Sequence, residues 1–153
     1  MRKFKILRWA IQLFITICIL GICSNIYIYY ILSSEPIPAL SVDITPYLVS
    51  MLNVLLLITG LWYIHQSFTF FIQRSFFNFK SALYLSKGGY IIAATGIISF
   101  TYNMTKLAGK SREELITNII LNCLMLIIGF GLTAVADIIK KGESIKQEND
   151  LTI

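Results

Sequence analysis

Four stretches of this chain carry no charged side chain: residues 9–34, 44–73, 88–105 and 115–136. Crossing the hydrocarbon core of a bilayer, about 30 Å thick, takes about 20 apolar residues in a helix. Each stretch meets or approaches that length. Only 14% of the residues are charged and 56% are hydrophobic, against roughly 25% charged in a soluble domain. The expectation is an all-α, polytopic membrane protein. Its four transmembrane helices fall near residues 9–32, 47–70, 88–105 and 115–137, in one integral membrane domain over residues 1–153.

The first apolar run follows a basic start that contains Arg2, Lys3, Lys5 and Arg8. That order also begins a secretory signal, but the run exceeds a signal's apolar core of about 7–15 residues. Leu20-Gly21-Ile22-Cys23 hints at a lipoprotein cleavage box, with Ile22 where a small residue is required. An uncleaved first span is therefore expected, with Trp9 and the tyrosines Tyr27, Tyr29 and Tyr30 at its two interfaces, where amphipathic rings settle. Pro36, Pro38 and Pro46 interrupt helix in residues 33–46, whose charges are Glu35 and Asp43; Pro46 suits the first turn of the next helix. The second run would give about 45 Å of helix, longer than the core. The surplus is placed in residues 68–80, where phenylalanines beside Arg74 and Lys80 suggest a helix leaving the bilayer along its surface.

Small and weakly polar residues recur at three- and four-residue steps in the third and fourth spans. They are Gly89, Ala93, Gly96, Ser99 and Asn103 in one, and Asn118, Asn122, Met125, Gly129 and Thr133 in the other. Such faces let helices approach closely in lipid, so a tight hairpin is expected. With the N-terminus inside, the inner side holds Arg2, Lys3, Lys5, Arg8, Arg74, Lys80, Lys87, Lys140, Lys141 and Lys146; the outer side holds Lys106, Lys110 and Arg112. This asymmetry predicts that both termini are cytoplasmic.

The chemistry on offer is sparse. No phosphate-binding glycine loop, Gly-x-Ser-x-Gly or His-Glu-x-x-His is present, and the expected protein is not an enzyme and needs no cofactor or metal. Cys18, Cys23 and Cys123 lie inside apolar runs without metal spacing and read as small buried hydrophobes. His65, in the inner half of the second span, reads as an imidazole hydrogen-bonded near the interface. A proton relay between it and Asp137 is the less favoured alternative. Asp137, at the inner end of the fourth span, is expected in solvent or paired with Lys140 or Lys141. Gln12, Asn25, Asn53, Asn118 and Asn122 read as interhelical hydrogen-bonding groups rather than a lined pore. Basic residues form no contiguous face, which argues against direct nucleic-acid binding.

The last stretch, residues 138–153, is expected to be a cytoplasmic tail, with Gly142 ending the fourth helix as a C-terminal cap. Its ending, Lys141-Gly-Glu-Ser-Ile-Lys-Gln-Glu-Asn-Asp-Leu-Thr-Ile153, resembles that of a bacterial membrane family known as domain of unknown function 2975. The segment from Phe76 to Tyr90, in which an Asn, a Leu and a Gly-Tyr lead into the third span, resembles the family's first cytoplasmic segment. The resemblance implies four spans in a bacterial plasma (inner) membrane and no settled activity. It also implies a neighbouring gene for a small helix-turn-helix regulator. A membrane anchor or sensor for such a regulator is the function it suggests, with Glu143, Glu148, Asn149, Asp150, Leu151 and Ile153 as the docking residues. Leu151 and Ile153 are the apolar anchors of that reading; folding of both back onto the inner rim or the Phe76–Phe79 segment is its competitor. The alternative function is a small transporter or channel subunit using the polar faces of the spans. Oligomeric state is left open.

The expected topology has a direct check. Reporter fusions after Pro38 and after Ile153 should report opposite sides of the membrane; the same side for both would refute four spans with cytoplasmic ends.

Overall fold

The computed structural model describes residues 2–34, 44–73, 78–106 and 111–150. They form four helices: α1 (Arg2–Ser34), α2 (Thr45–Gln73), α3 (Phe79–Thr105) and α4 (Arg112–Asp150). All four are long and apolar enough to cross a membrane. Their outward surfaces carry many large apolar side chains, among them Trp9, Leu20, Tyr30, Trp62, Ile97, Ile127 and Phe130. That much apolar surface is incompatible with water and natural in lipid. Hydroxyls on the spans bond back to their own helix: Thr16 to the Gln12 carbonyl, Ser24 to Leu20, Thr59 to Leu55 and Thr101 to Ile97. No donor is left facing hydrocarbon at these positions.

Each helix packs chiefly on its chain neighbours, α1 on α2, α2 on α3 and α3 on α4, so the four form a row rather than a closed ring. The most apolar window of α3 is 44% buried and that of α1 0%, which puts α3 inside the row and α1 at an edge. The tightest contact is between α3 and α4. A Cβ added at Gly89 would stand 2.6 Å from the Gly129 carbonyl oxygen; one added at Gly129 would stand 2.6 Å from the Gly89 carbonyl and 2.7 Å from the Ala93 nitrogen. Farther along, a Cβ at Gly96 would meet Asn122 and Met125. The hairpin expected from the small-residue faces is present. The α2–α3 contact uses Gly60 against Gly88 in the same way, a pair the sequence reading did not single out.

Local sequence sets the helix starts. Pro46 occupies the first turn of α2, where its missing N–H costs nothing. Asn78 caps α3, its side chain accepting from the Lys80 N–H at 2.9 Å. Ser111 accepts from the Glu114 N–H at 3.3 Å, half of a capping box, and Glu113 and Glu114 oppose the positive end of the α4 dipole.

The structure corrects three expectations. The aromatic segment is not a separate surface helix among the described residues: α2 runs straight to Gln73 and α3 starts at Phe79. Phe68 and Phe71 turn inward and meet the Phe4 ring at 5.9 and 6.0 Å. The fourth helix does not end at Gly142 but continues to Asp150, and no glycine among the described residues has a positive φ. Gly in a helix costs only about 1 kcal/mol, and Lys141, Glu143, Lys146, Gln147 and Glu148 around it are good helix formers. Cys23 and Cys123 are exposed and Cys18 half-buried, all three as free thiols, so the cysteines face lipid more than protein. The Glu35–Asp43 loop, Arg74 and Lys110 lie outside the described residues.

The glycine contact makes a sharp contrast. Gly129→Ala should lower the melting temperature in detergent by an amount equivalent to about 1–3 kcal/mol of overpacking. Gly131→Ala, where a Cβ would meet nothing within 4 Å, should leave it unchanged or slightly raised.

Candidate functional site

An even number of antiparallel helices brings the start of α1, the end of α2, the start of α3 and the end of α4 to one end of the row. There α4 outreaches its neighbours. With 39 residues it is about 58 Å long, nearly twice the thickness of the hydrocarbon core. Ala136 and Ile139 are still buried against the core that contains Ala82 and Leu85. Beyond Glu143 every side chain from Ser144 to Asn149 is exposed. Ile145 is the apolar member of that stretch, 59% exposed. A cleft of about 240 Å³ lies at the root of this extension, lined by Phe79, Lys140, Glu143, Ser144 and Gln147. The Glu143 Oε2 atom is buried there without a hydrogen-bond partner among the described residues, while Ser144 approaches Glu148 at 3.5 Å. Of the proposed docking residues, Glu143, Glu148, Asn149 and Asp150 therefore sit on helix; Leu151 and Ile153 lie outside the described residues.

The same end holds a second polar cluster, between α1 and α2. The half-buried residues of α1 are Phe4, Arg8, Ile11, Ile15, Cys18, Ile22, Asn25 and Tyr29, alternating steps of four and three that make a coiled-coil seam. Its register is fixed by Phe4 against Phe68 and Phe71 at one end, and at the other by Asn25 donating to Ser50 at 3.0 Å and Tyr29 against Tyr47 at 5.2 Å. One turn past Phe4, Arg8 is level with the α2 turn that carries His65, by the register that the Phe4–Phe68, Phe4–Phe71 and Asn25–Ser50 contacts set. The Arg8 Nε and both ring nitrogens of His65 are buried without partners among the described residues. The imidazole stacks on Trp62 at 6.0 Å. The expected hydrogen-bonded histidine is thus not observed. On the far side of α2, Ser67 is fully buried and donates to the Ser81 carbonyl at 2.8 Å, tying α2 to α3.

The remaining polar candidates are separate. Asp137 pairs with Lys140 at 3.2 Å and is exposed, as expected of a carboxylate at a helix end. No hydrogen bond joins it to His65, so the relay is not assembled. Asn25 makes its interhelical bond, whereas Asn122, 6% exposed against Gly96, leaves its Nδ2 unpartnered, as Asn53 does its Oδ1. Asn118 is half-buried and Gln12 exposed. Among the described residues no group of three His, Cys, Asp or Glu is placed to hold a metal ion. Sequence reasoning assigned Arg8 to the basic flank alone; the four-and-three spacing from Phe4 onward was the signal that places it in a helix seam.

A family model described as "Protein of unknown function (DUF2975)" matches residues 38–153. No curated protein and no solved structure matches the chain. The family match covers most of the chain, and the chain belongs to that family.

The unpartnered Asn122 invites a substitution. Replacing a buried amide that lacks a partner by an apolar group of similar size is close to neutral or stabilising. Asn122→Leu should keep the detergent melting temperature within a few degrees of the parent or raise it; a large fall would show that the amide has a structural partner.

Proposed function

With family membership as the premise, we propose that this protein is a non-enzymatic, multi-pass anchor or sensor of the bacterial plasma membrane. Both ends face the cytoplasm, and the α4 extension docks a small cytoplasmic helix-turn-helix regulator. The observation that carries the reading is the helical extension beyond Glu143. A solvating tail has no need to stay helical with exposed side chains, whereas a docking element gains from both: a rigid helix loses little entropy on binding. Ile145 supplies an apolar contact amid polar side chains, and the cleft at the root offers a recess beside it. Glu143, Glu148 and Asp150 outweigh Lys146 on the outermost turns, a balance that favours encounter with a basic DNA-binding domain.

Transport has weaker support. Asn53 and Asn122 are on different helices flanking α3, and the glycine contacts that hold α3 leave backbone against backbone where a path would run.

Two variants test the docking reading. A chain cut after Gly142 should insert and remain stable, because the buried contacts end near Ile139, yet fail to hold the regulator at the membrane. Ile145→Glu in the full chain should weaken retention by roughly tenfold or more if this side chain is a contact hot spot. Fractionation of cells, following the regulator encoded beside the gene, reads both. Identical partitioning with parent and variants, or no regulator at the membrane, refutes the proposal.

A further inference from the structure

The Arg8–His65 cluster is not used by the docking surface and lies on the other edge of the row. Arg8 is the last charge before the uncharged stretch of α1, with Lys3 and Lys5 one turn nearer the end of the helix. Trp9 is 70% and Trp62 55% exposed, and tryptophans at that exposure settle at the headgroup level of a bilayer. The cluster therefore sits at the depth of lipid phosphates.

Three polar nitrogens meet here without partners, the Arg8 Nε and the two of the His65 ring. Buried polar groups in native proteins are overwhelmingly paired, and a guanidinium held without an acceptor is costly. Among the described residues no carboxylate answers them: Asp137 is committed to Lys140, and Glu143 lines the cleft on α4. What the cluster lacks is an anion with oxygen acceptors. The ring adds a requirement, since a neutral imidazole has one N–H to give and one nitrogen that accepts.

We propose that the α1–α2 seam at Arg8 and His65 is a binding site for the phosphate group of an anionic phospholipid whose headgroup carries a free hydroxyl, as phosphatidylglycerol does. The phosphodiester accepts from Arg8 and from the His65 N–H. The headgroup hydroxyl donates to the other ring nitrogen. The bound lipid completes the contact between α1 and α2, where the protein's own packing is least, so α1 is held in the row partly by lipid.

The test uses the full chain, purified and placed in nanodiscs of phosphatidylcholine with or without phosphatidylglycerol, followed by native mass spectrometry and thermal melting. The parent should retain phosphatidylglycerol over phosphatidylcholine and melt higher in its presence. Arg8→Gln should lower that retention by about tenfold, as expected for loss of one charge-assisted hydrogen bond. Arg8→Lys should keep part of it, and His65→Phe should lower it while Arg8 stays intact. The paired change Lys3→Gln with Lys5→Gln should have little effect. If that pair lowers retention as much as Arg8→Gln, the attraction is a diffuse basic surface and the site is refuted. Equal retention of the two lipids by the parent also refutes it. Addition of millimolar inorganic phosphate separates the sources: unchanged lipid retention supports a lipid site, and displacement of the lipid overturns it in favour of a free-phosphate site. Should Arg8→Gln not fold, His65→Phe and the parent's lipid preference decide the matter.

Discussion

The structure depends on how closely the α3 and α4 backbones approach at Gly89 and Gly129. In lipid, apolar side chains gain nothing by leaving the hydrocarbon, so helices associate through packing and the few polar contacts they can make. Here glycine opposes glycine closely enough that a methyl group on either would touch backbone. That contact places Thr133 and Ala136 against α3 and sets the height at which α4 leaves the bundle. The Gly60–Gly88 contact repeats the device on the other side of α3, with the Ser67–Ser81 bond nearby. α3 is thereby clamped on both flanks, while α1 hangs on α2 through a coiled-coil seam of larger side chains.

Two features with functional consequence follow from this gradient of packing. On the tightly held side, α4 projects past the bundle as a rigid rod, because its register with α3 is fixed and its helix propensity carries it through Gly142. On the loosely held side, the α1–α2 seam encloses the Arg8 Nε and the His65 ring nitrogens without partners among the described residues. One edge of the row thus presents an exposed helical extension, the other buried polar nitrogens without partners among the described residues.

Much of the fold was legible in the sequence, for physical reasons. Uncharged runs of membrane-spanning length are an absolute requirement of helical spans, so the four helices could be counted from charge alone. The α3–α4 hairpin was visible because close approach demands small residues at helical spacing, and Gly89, Ala93, Gly96 and Gly129 met that demand. Helix ends were less legible. Charge marks where lipid stops, not where helix stops, so Lys140 and Lys141 suggested a tail where α4 in fact continues, and α3 starts at Phe79 well before its uncharged run. The site was read least well. Arg8 and His65 are unremarkable as single residues, and their meeting depends on the register between α1 and α2, which no local signal sets. The acidic residues at the end of the chain were picked out, but their helical presentation was not.

The central claim is the register of the α3–α4 contact, and cysteine cross-linking in native membranes tests it most directly. A Cβ at Gly96 would lie 3.2 Å from the Met125 Cβ, near the separation of about 3.8 Å found in disulfides. In a background with Cys18, Cys23 and Cys123 replaced by alanine, Gly96→Cys with Met125→Cys should form an intramolecular disulfide rapidly on mild oxidation. Gly96→Cys with Leu132→Cys, displaced by about two helical turns or roughly 10 Å, should not. Absence of the first cross-link, or equal formation of both, would contradict the account.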